Sequence, residues 1–177
     1  IEEGLYFTIN RARQFGKTTT MDLLFNRLSD KYIVVQISFE IGDAIFDSVK
    51  NFCYGFDDKV ANAVGLQPEH VVFWKKEMKS ESFEDFSAKI TTFCTSQTKP
   101  VVLLVDEVDK SSDNQLFLNF LGMLRNKYLE RSKRGMNSTF HSVVLAGVYD
   151  VKNLKLKLRP DEERKYNSPW NIATDFD

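Results

Sequence analysis

The sequence predicts an α/β fold, a mostly parallel central sheet sandwiched between two layers of helices. Three observations carry this. Short apolar β-prone runs alternate with stretches of helical periodicity, the pattern of parallel strands joined by helical crossovers. The run Val101–Val105 is apolar at every position, as in a strand buried on both faces. A glycine-containing loop sits between the first such strand and the first helix.

The elements follow in order. Leu5–Asn10 (LYFTIN) reads as a strand, Arg11–Thr20 (RARQFGKTTT) as the loop and helix start, and Met21, Leu24, Phe25 and Leu28 as a helix face. Tyr32–Phe39 is a second strand, rich in β-branched residues. From Asp43 to about Val64 the pattern is helical, with Ile45, Val49, Phe52, Phe56 and Val60 on one side. Further helices are expected over Glu69–Met78 and Phe83–Thr95, the latter after a start signal in Ser80–Glu84. A helical insertion therefore separates the second strand from Val101–Val105. Asp113 to about Arg131 is helical, Ser132–Ser138 reads as a basic loop, and Ser142–Val148 as a fourth strand. Beyond Tyr149, Lys152–Arg159 alternates Leu with Lys or Arg, which suits an edge strand guarded by lysines.

Composition narrows the function classes. The 177 residues match a single domain, which buries roughly 70% of the surface its unfolded chain exposes. Aromatic content of 13%, with 15 Phe, excludes disorder over the whole chain. Lys plus Arg is 24 and Asp plus Glu 25, so the net charge of -1 gives no dominant footprint for nucleic acid or anionic membrane, although a local nucleic-acid patch is compatible with it. Cys53 and Cys94 form no CxxC, and with only His70 and His141 there is no zinc ligand set. The two spaced cysteines read as reduced thiols of a cytoplasmic protein, and no apolar run has the length of a membrane span. The chain lacks a start Met and stops just after an unfinished segment, the pattern expected of a fragment of a longer protein.

The chemistry concentrates in two places. Gly16-Lys17-Thr18, between a strand and a helix, has the parts of a phosphate-binding loop. Gly16 lets the backbone approach the phosphates, Lys17 reaches the β- and γ-phosphates, Thr18 offers a hydroxyl to Mg²⁺, and the N–H groups of Thr18 and Thr19 face the anion. The full pattern asks for Gly five residues before Gly16, where this chain has Arg11. The second place is Asp106-Glu107, directly after the apolar strand. An aspartate there holds Mg²⁺. A glutamate directly after it is placed to activate the attacking water as general base. The order of the motifs suits a sheet in which the fourth strand lies between the first and Val101–Val105. Tyr149 and Asp150, at the end of the fourth strand, are then candidates to sense the nucleotide.

The run FTINRARQFGKTTTMDLL resembles the RPR-x-[FY]-GKT phosphate loop of the AAA-ATPase-like family, common in anaerobic bacteria and often joined to a PD-(D/E)xK nuclease-like domain. Gln36–Asp43, Val101–Lys110, Gly147–Lys157 and Ser168–Phe176 resemble that family as well, and Ala12 stands where it often has Pro. The resemblance implies an AAA-like P-loop NTPase fold that binds ATP, with Mg²⁺ on Thr18 and Asp106, the nucleotide cradled by Arg13, Gln14, Phe15, Gly16, Lys17, Thr18 and Thr19, and Glu107 as the catalytic base. It also implies a C-terminal lid or partner domain beyond this chain. Two rival readings are a nucleotide-binding switch that does not hydrolyse and a scaffold that keeps only the architecture. The basic cluster Arg125, Lys127, Arg131, Lys133 and Arg134 is a solvated helix end, a source of an arginine finger, or a contact to nucleic acid. Trp74 and Trp170 have no evident stacking partner, and His141 no nucleophile beside it.

Overall fold

The computed structural model describes residues 1–10, 16–39, 43–63, 65–76, 80–108, 115–135, 138–147 and 174–175. Five strands, β1 (Phe7–Asn10), β2 (Ile33–Ser38), β3 (Val101–Asp106), β4 (Ser142–Gly147) and β5 (Thr174–Asp175), form one sheet in the order β2-β3-β4-β1-β5. Every pairing is parallel. All carboxyl ends of the strands therefore lie along one edge of the sheet.

Helix α1 (Lys17–Leu28) connects β1 to β2, stepping over β4 and β3. The insertion between β2 and β3 contains a single 3₁₀ turn (Asp43–Phe46), α2 (Val49–Ala61), α3 (Pro68–Lys76) and α4 (Phe83–Ser96), and α5 (Gln115–Arg134) connects β3 to β4. These later connections run back across the sheet, against the direction of the first. Right-handed crossovers then put α1 on one face and α2–α5 on the other. Alternate residues of the strands sort accordingly. Val35, Ile37, Leu103, Val105, Val143 and Leu145 join the core under α2–α5. Phe7, Ile9, Val34, Leu104, Val144 and Ala146 join a smaller core with Met21 of α1. Both faces of β3 and β4 are fully buried, which is why these strands are apolar throughout.

The larger core is aromatic. Phe52, Phe56, Phe86, Phe93, Phe117 and Phe120 are each 0% exposed, as their helical spacing predicts. Trp74 is buried against Phe56, Phe73 and Phe93. Phe73 is its neighbour on α3, while Phe56 and Phe93 come from α2 and α4 and meet Trp74 only through folding.

Two sequence expectations change. The helical stretch from Asp43 is interrupted at Ser48, whose hydroxyl accepts the Asn51 N–H and starts α2 afresh. The preceding 3₁₀ turn folds back so that Ile45 packs on Gly55, where a Cβ would overlap the Ile45 side chain. The basic stretch after Arg131 is not a loop at its start, since α5 runs on to Arg134 and stops at Gly135, φ 100°. Nothing before that glycine breaks a helix, and the cations suit its C-terminal end. The alternating segment Lys152–Arg159, Trp170, and the residues Tyr149 and Asp150 lie outside the described residues.

Candidate functional site

The strand β1 delivers the chain to the carboxyl edge of the sheet, and α1 turns back from it. The N-cap of α1 is Gly16 at φ 72° and ψ 25°, a left-handed conformation that favours glycine. Gly16 carries no side chain to cap the helix, and the first turn contains no acidic residue. The positive end of the α1 dipole at this start favours an anion. Among the described residues nothing lies within 4 Å of where a Cβ on Gly16 would sit. Thr20 fastens this turn, its N–H and its hydroxyl both donating to the Gly16 carbonyl at 2.8 and 2.9 Å.

Lys17 is buried, whereas Thr18 and Thr19 on the same turn are exposed. The Thr18 hydroxyl donates to Asp106 Oδ2 at 3.4 Å. This contact joins the helix start after β1 to the end of β3, across the width of β4. Asp106 is 7% exposed and its backbone is held by the neighbouring strand β2. It is in register with Ser38 of β2, and its carbonyl accepts the Phe39 N–H at 3.2 Å. The other carboxylate oxygen, Oδ1, accepts the N–H of Glu107 at 2.8 Å. Glu107 has φ 57° and is the one non-glycine residue at positive φ among the described residues.

The structure therefore brings Gly16, Lys17, Thr18, Thr19, Asp106 and Glu107 to one edge of the sheet. Arg13, Gln14 and Phe15 lie outside the described residues. Sequence reasoning missed the left-handed backbone of Glu107 and its bond to Asp106. No sequence signal announces either, because glutamate is not a residue that marks such a position.

The residues present fit a nucleotide with Mg²⁺. An exposed hydroxyl lies beside a nearly buried carboxylate, at the start of a helix whose first turn carries no acidic residue. Among the described residues no group of three or more His, Cys, Asp or Glu could hold a metal ion.

The basic cluster on α5 divides. Lys127 is half-buried and gives its protons to the Ser87 carbonyl, the Ser87 hydroxyl and the Thr91 hydroxyl on α4. Arg131 is buried, 3.9 Å from the Tyr128 ring centroid, and donates to the His141 carbonyl at 3.0 Å. His141 precedes β4, so Arg131 belongs to the amino edge of the sheet, opposite Asp106. It is a structural tie of its own chain. Arg134 is exposed and pairs with Glu130 at 3.0 Å. A cavity of about 750 Å³ between α4 and α5 is lined by residues such as Phe83, Ser87, Gly122 and Met123 and by none of the motif residues.

Among the described residues no helix is long and apolar enough to cross a membrane. Curated proteins give no match. Among solved structures, one similar chain belongs to the Drosophila origin recognition complex bound to poly(dA/dT) DNA and Cdc6. It is 14% identical with a TM-score of 0.40, and the alignment covers 84% of this chain and 22% of that one. The AAA-like domain family matches residues 1–157. With that match over an all-parallel sheet whose fourth strand lies between the first and third, the chain belongs to the AAA-like domain family, a P-loop nucleotide-binding fold.

Proposed function

We propose that this domain binds ATP with Mg²⁺ at the carboxyl ends of β1 and β3, hydrolyses it, and passes its nucleotide state to a neighbouring domain of the parent protein. The observation that carries this reading is the Thr18–Asp106 contact at 3.4 Å, which unites two motifs 88 residues apart in the chain. The N-terminal N–H groups of α1 and Lys17 bind the phosphates, and Thr18 and Asp106 hold the cation. Mg²⁺ held there would supply neutralisation of the phosphate charge. Glu107 takes the proton of the attacking water. Arg13, Gln14, Phe15 and Thr19 complete the cradle in this reading.

Lys17→Ala tests it. Removing the loop's ammonium should weaken ATP binding at least about tenfold, since a charge-assisted bond to phosphate contributes about 1.5–3 kcal/mol. Titration of the wild type and the variant with a fluorescent ATP analogue reads this directly. Equal affinities would show that the nucleotide, if bound, sits elsewhere.

A further inference from the structure

The strand β2 ends the sheet, and among the described residues no strand pairs with its outer side. The Ile33 N–H donates to the Pro100 carbonyl at 3.0 Å and the Phe39 N–H to the Asp106 carbonyl at 3.2 Å. Alternate residues of a parallel strand bond the same neighbour, so the odd-numbered residues of β2 face β3 and Gln36 points its N–H and carbonyl outward. Gln36 is partly exposed there. Beside it a cavity of about 370 Å³ separates Gln36, Ile37 and Ser38 from Asp58, Lys59 and Asn62 at the end of α2. Lys59 is half-buried, with its ammonium 5.8 Å from the Phe39 ring centroid. Burial holds its pKa below the ordinary lysine value, and among the described residues it enters no ion pair. Asp58, next to it in the chain, is exposed.

We propose that the outer edge of β2 docks an extended acidic segment of a partner protein, added as a short antiparallel strand opposite Gln36 with a carboxylate on Lys59. A residue set opposite Gln36 exchanges two hydrogen bonds with it, N–H to carbonyl in each direction. The faces of the sheet fix where its neighbours point. The Gln36 side chain lies on the α1 face, where its Nε2 donates to Asp22 Oδ1 at 3.2 Å, and Ile37 lies on the other face, in the core under α2. The residue opposite Ile37, which precedes the paired one in the added strand, therefore turns its side chain towards α2 and the ammonium of Lys59. In this mode of binding the main-chain bonds supply affinity and the side chain supplies selection. The carboxylate meets a cation that folding has already partly desolvated and left without a counter-charge. A second copy of this chain is the wrong occupant. Two β2 edges paired antiparallel about a two-fold axis put both α2 helices on one face and two Lys59 side chains beside one seam, like charge against like.

The probe is a short peptide, acetyl-Thr-Glu-Thr-Val-Thr-amide, titrated into the ¹⁵N-labelled chain. It should shift the amide resonances of Gln36 and Lys59. Replacing its Glu by Gln, or Lys59→Gln in the protein, should each weaken binding at least about tenfold, and the two together should weaken it no further than either alone. N-methylation separates strand addition from simple charge attraction. A methyl on the nitrogen of the central Thr, which faces β2, should abolish binding. A methyl on the nitrogen of the Val, which faces away, should leave it within about a few-fold. The peptide variants require no change in the protein, so the test holds even if Lys59→Gln does not fold. No shift at Gln36, equal affinities of the Glu and Gln peptides, or binding indifferent to the central methyl overturns the proposal. Concentration-dependent broadening of the Gln36 resonance without peptide would show the edge occupied by a second copy and overturns it as well.

Discussion

At the scale of single residues, the carboxylate pair at the end of β3 shows a local conflict between stability and function. Glu107 at φ 57° is strained in a way that glycine would not be. Glu107→Gly should therefore raise thermal stability, by about 0.5–1 kcal/mol, while removing the base. Glu107→Gln separates the two roles further, because it keeps the side chain's size and loses its basicity. It should leave ATP affinity within a few-fold and lower single-turnover hydrolysis by a general-base factor of about 10²–10⁴. Hydrolysis at the wild-type rate in Glu107→Gln would reduce this residue to a turn. Thermal melts of both variants beside single-turnover assays give all these values.

Among the elements, the insertion between β2 and β3 is held together by one buried cation. Lys89 of α4 bonds Asp57 Oδ2 of α2 at 2.7 Å and the Trp74 carbonyl of α3 at 3.3 Å, with its ammonium 5.1 Å from the Trp74 ring centroid. The side chains of Lys89 and Asp57 are 2% and 9% exposed. Lys89→Met would leave the Asp57 carboxylate buried without a counter-charge and should cost about 3–5 kcal/mol, a large part of a typical domain's stability. The double variant Lys89→Met/Asp57→Leu should recover most of that loss, because apolar replacements of a buried pair are close to neutral. Denaturant melts of the two variants check this, and equal losses in both would show that the pair itself stabilises. The pair also gives a pH dependence. Burial, outweighing the attraction of Lys89, pushes the Asp57 carboxyl up to about 6. The folded state then binds its proton more tightly than the unfolded state does. This contribution to stability is complete in acid below the ordinary carboxylate range and is lost as pH rises through about 6. Asp57→Asn should remove that part of the stability–pH slope, as melts across the range would show.

Over the whole molecule, the sheet separates function from support. The carboxyl edge carries Gly16, Thr18, Asp106 and Glu107. The amino edge carries a tie in which Arg131 stacks on Tyr128 and bonds the His141 carbonyl, while Tyr6 Oη donates to the Phe140 carbonyl at 3.1 Å. Arg131→Ala should cost about 2–4 kcal/mol, from the lost cation–π contact and the charged hydrogen bond. It should leave ATP affinity unchanged in the protein that remains folded. An affinity loss without a stability loss would place Arg131 in nucleotide chemistry after all. Calorimetric melts and nucleotide titration separate the two outcomes.

Much of this was legible in the residues themselves. The alternation of strands and helices, the apolar runs of β3 and β4 and the aromatic stripes of α2, α4 and α5 follow from periodicity, because burial on one face or two writes itself into sequence spacing. The strands Val101–Val105 and Ser142–Val148 were placed within a residue of their observed ends. Gly16-Lys17-Thr18 and Asp106-Glu107 were legible as residue types in motif order. What only the tertiary structure decided is how those types meet. The Thr18–Asp106 contact depends on β4 slotting between β1 and β3, a matter of crossover direction and sheet order. The break at Ser48 depends on Ile45 folding onto Gly55, and the burial of Arg131 on the neighbourhood of Tyr128 and His141. The left-handed turn at Glu107 appears only in the folded chain. Local periodicity records which side of an element is dry. It holds no record of which distant side chain lies across from it, because that is set by the sheet order and the direction of each crossover.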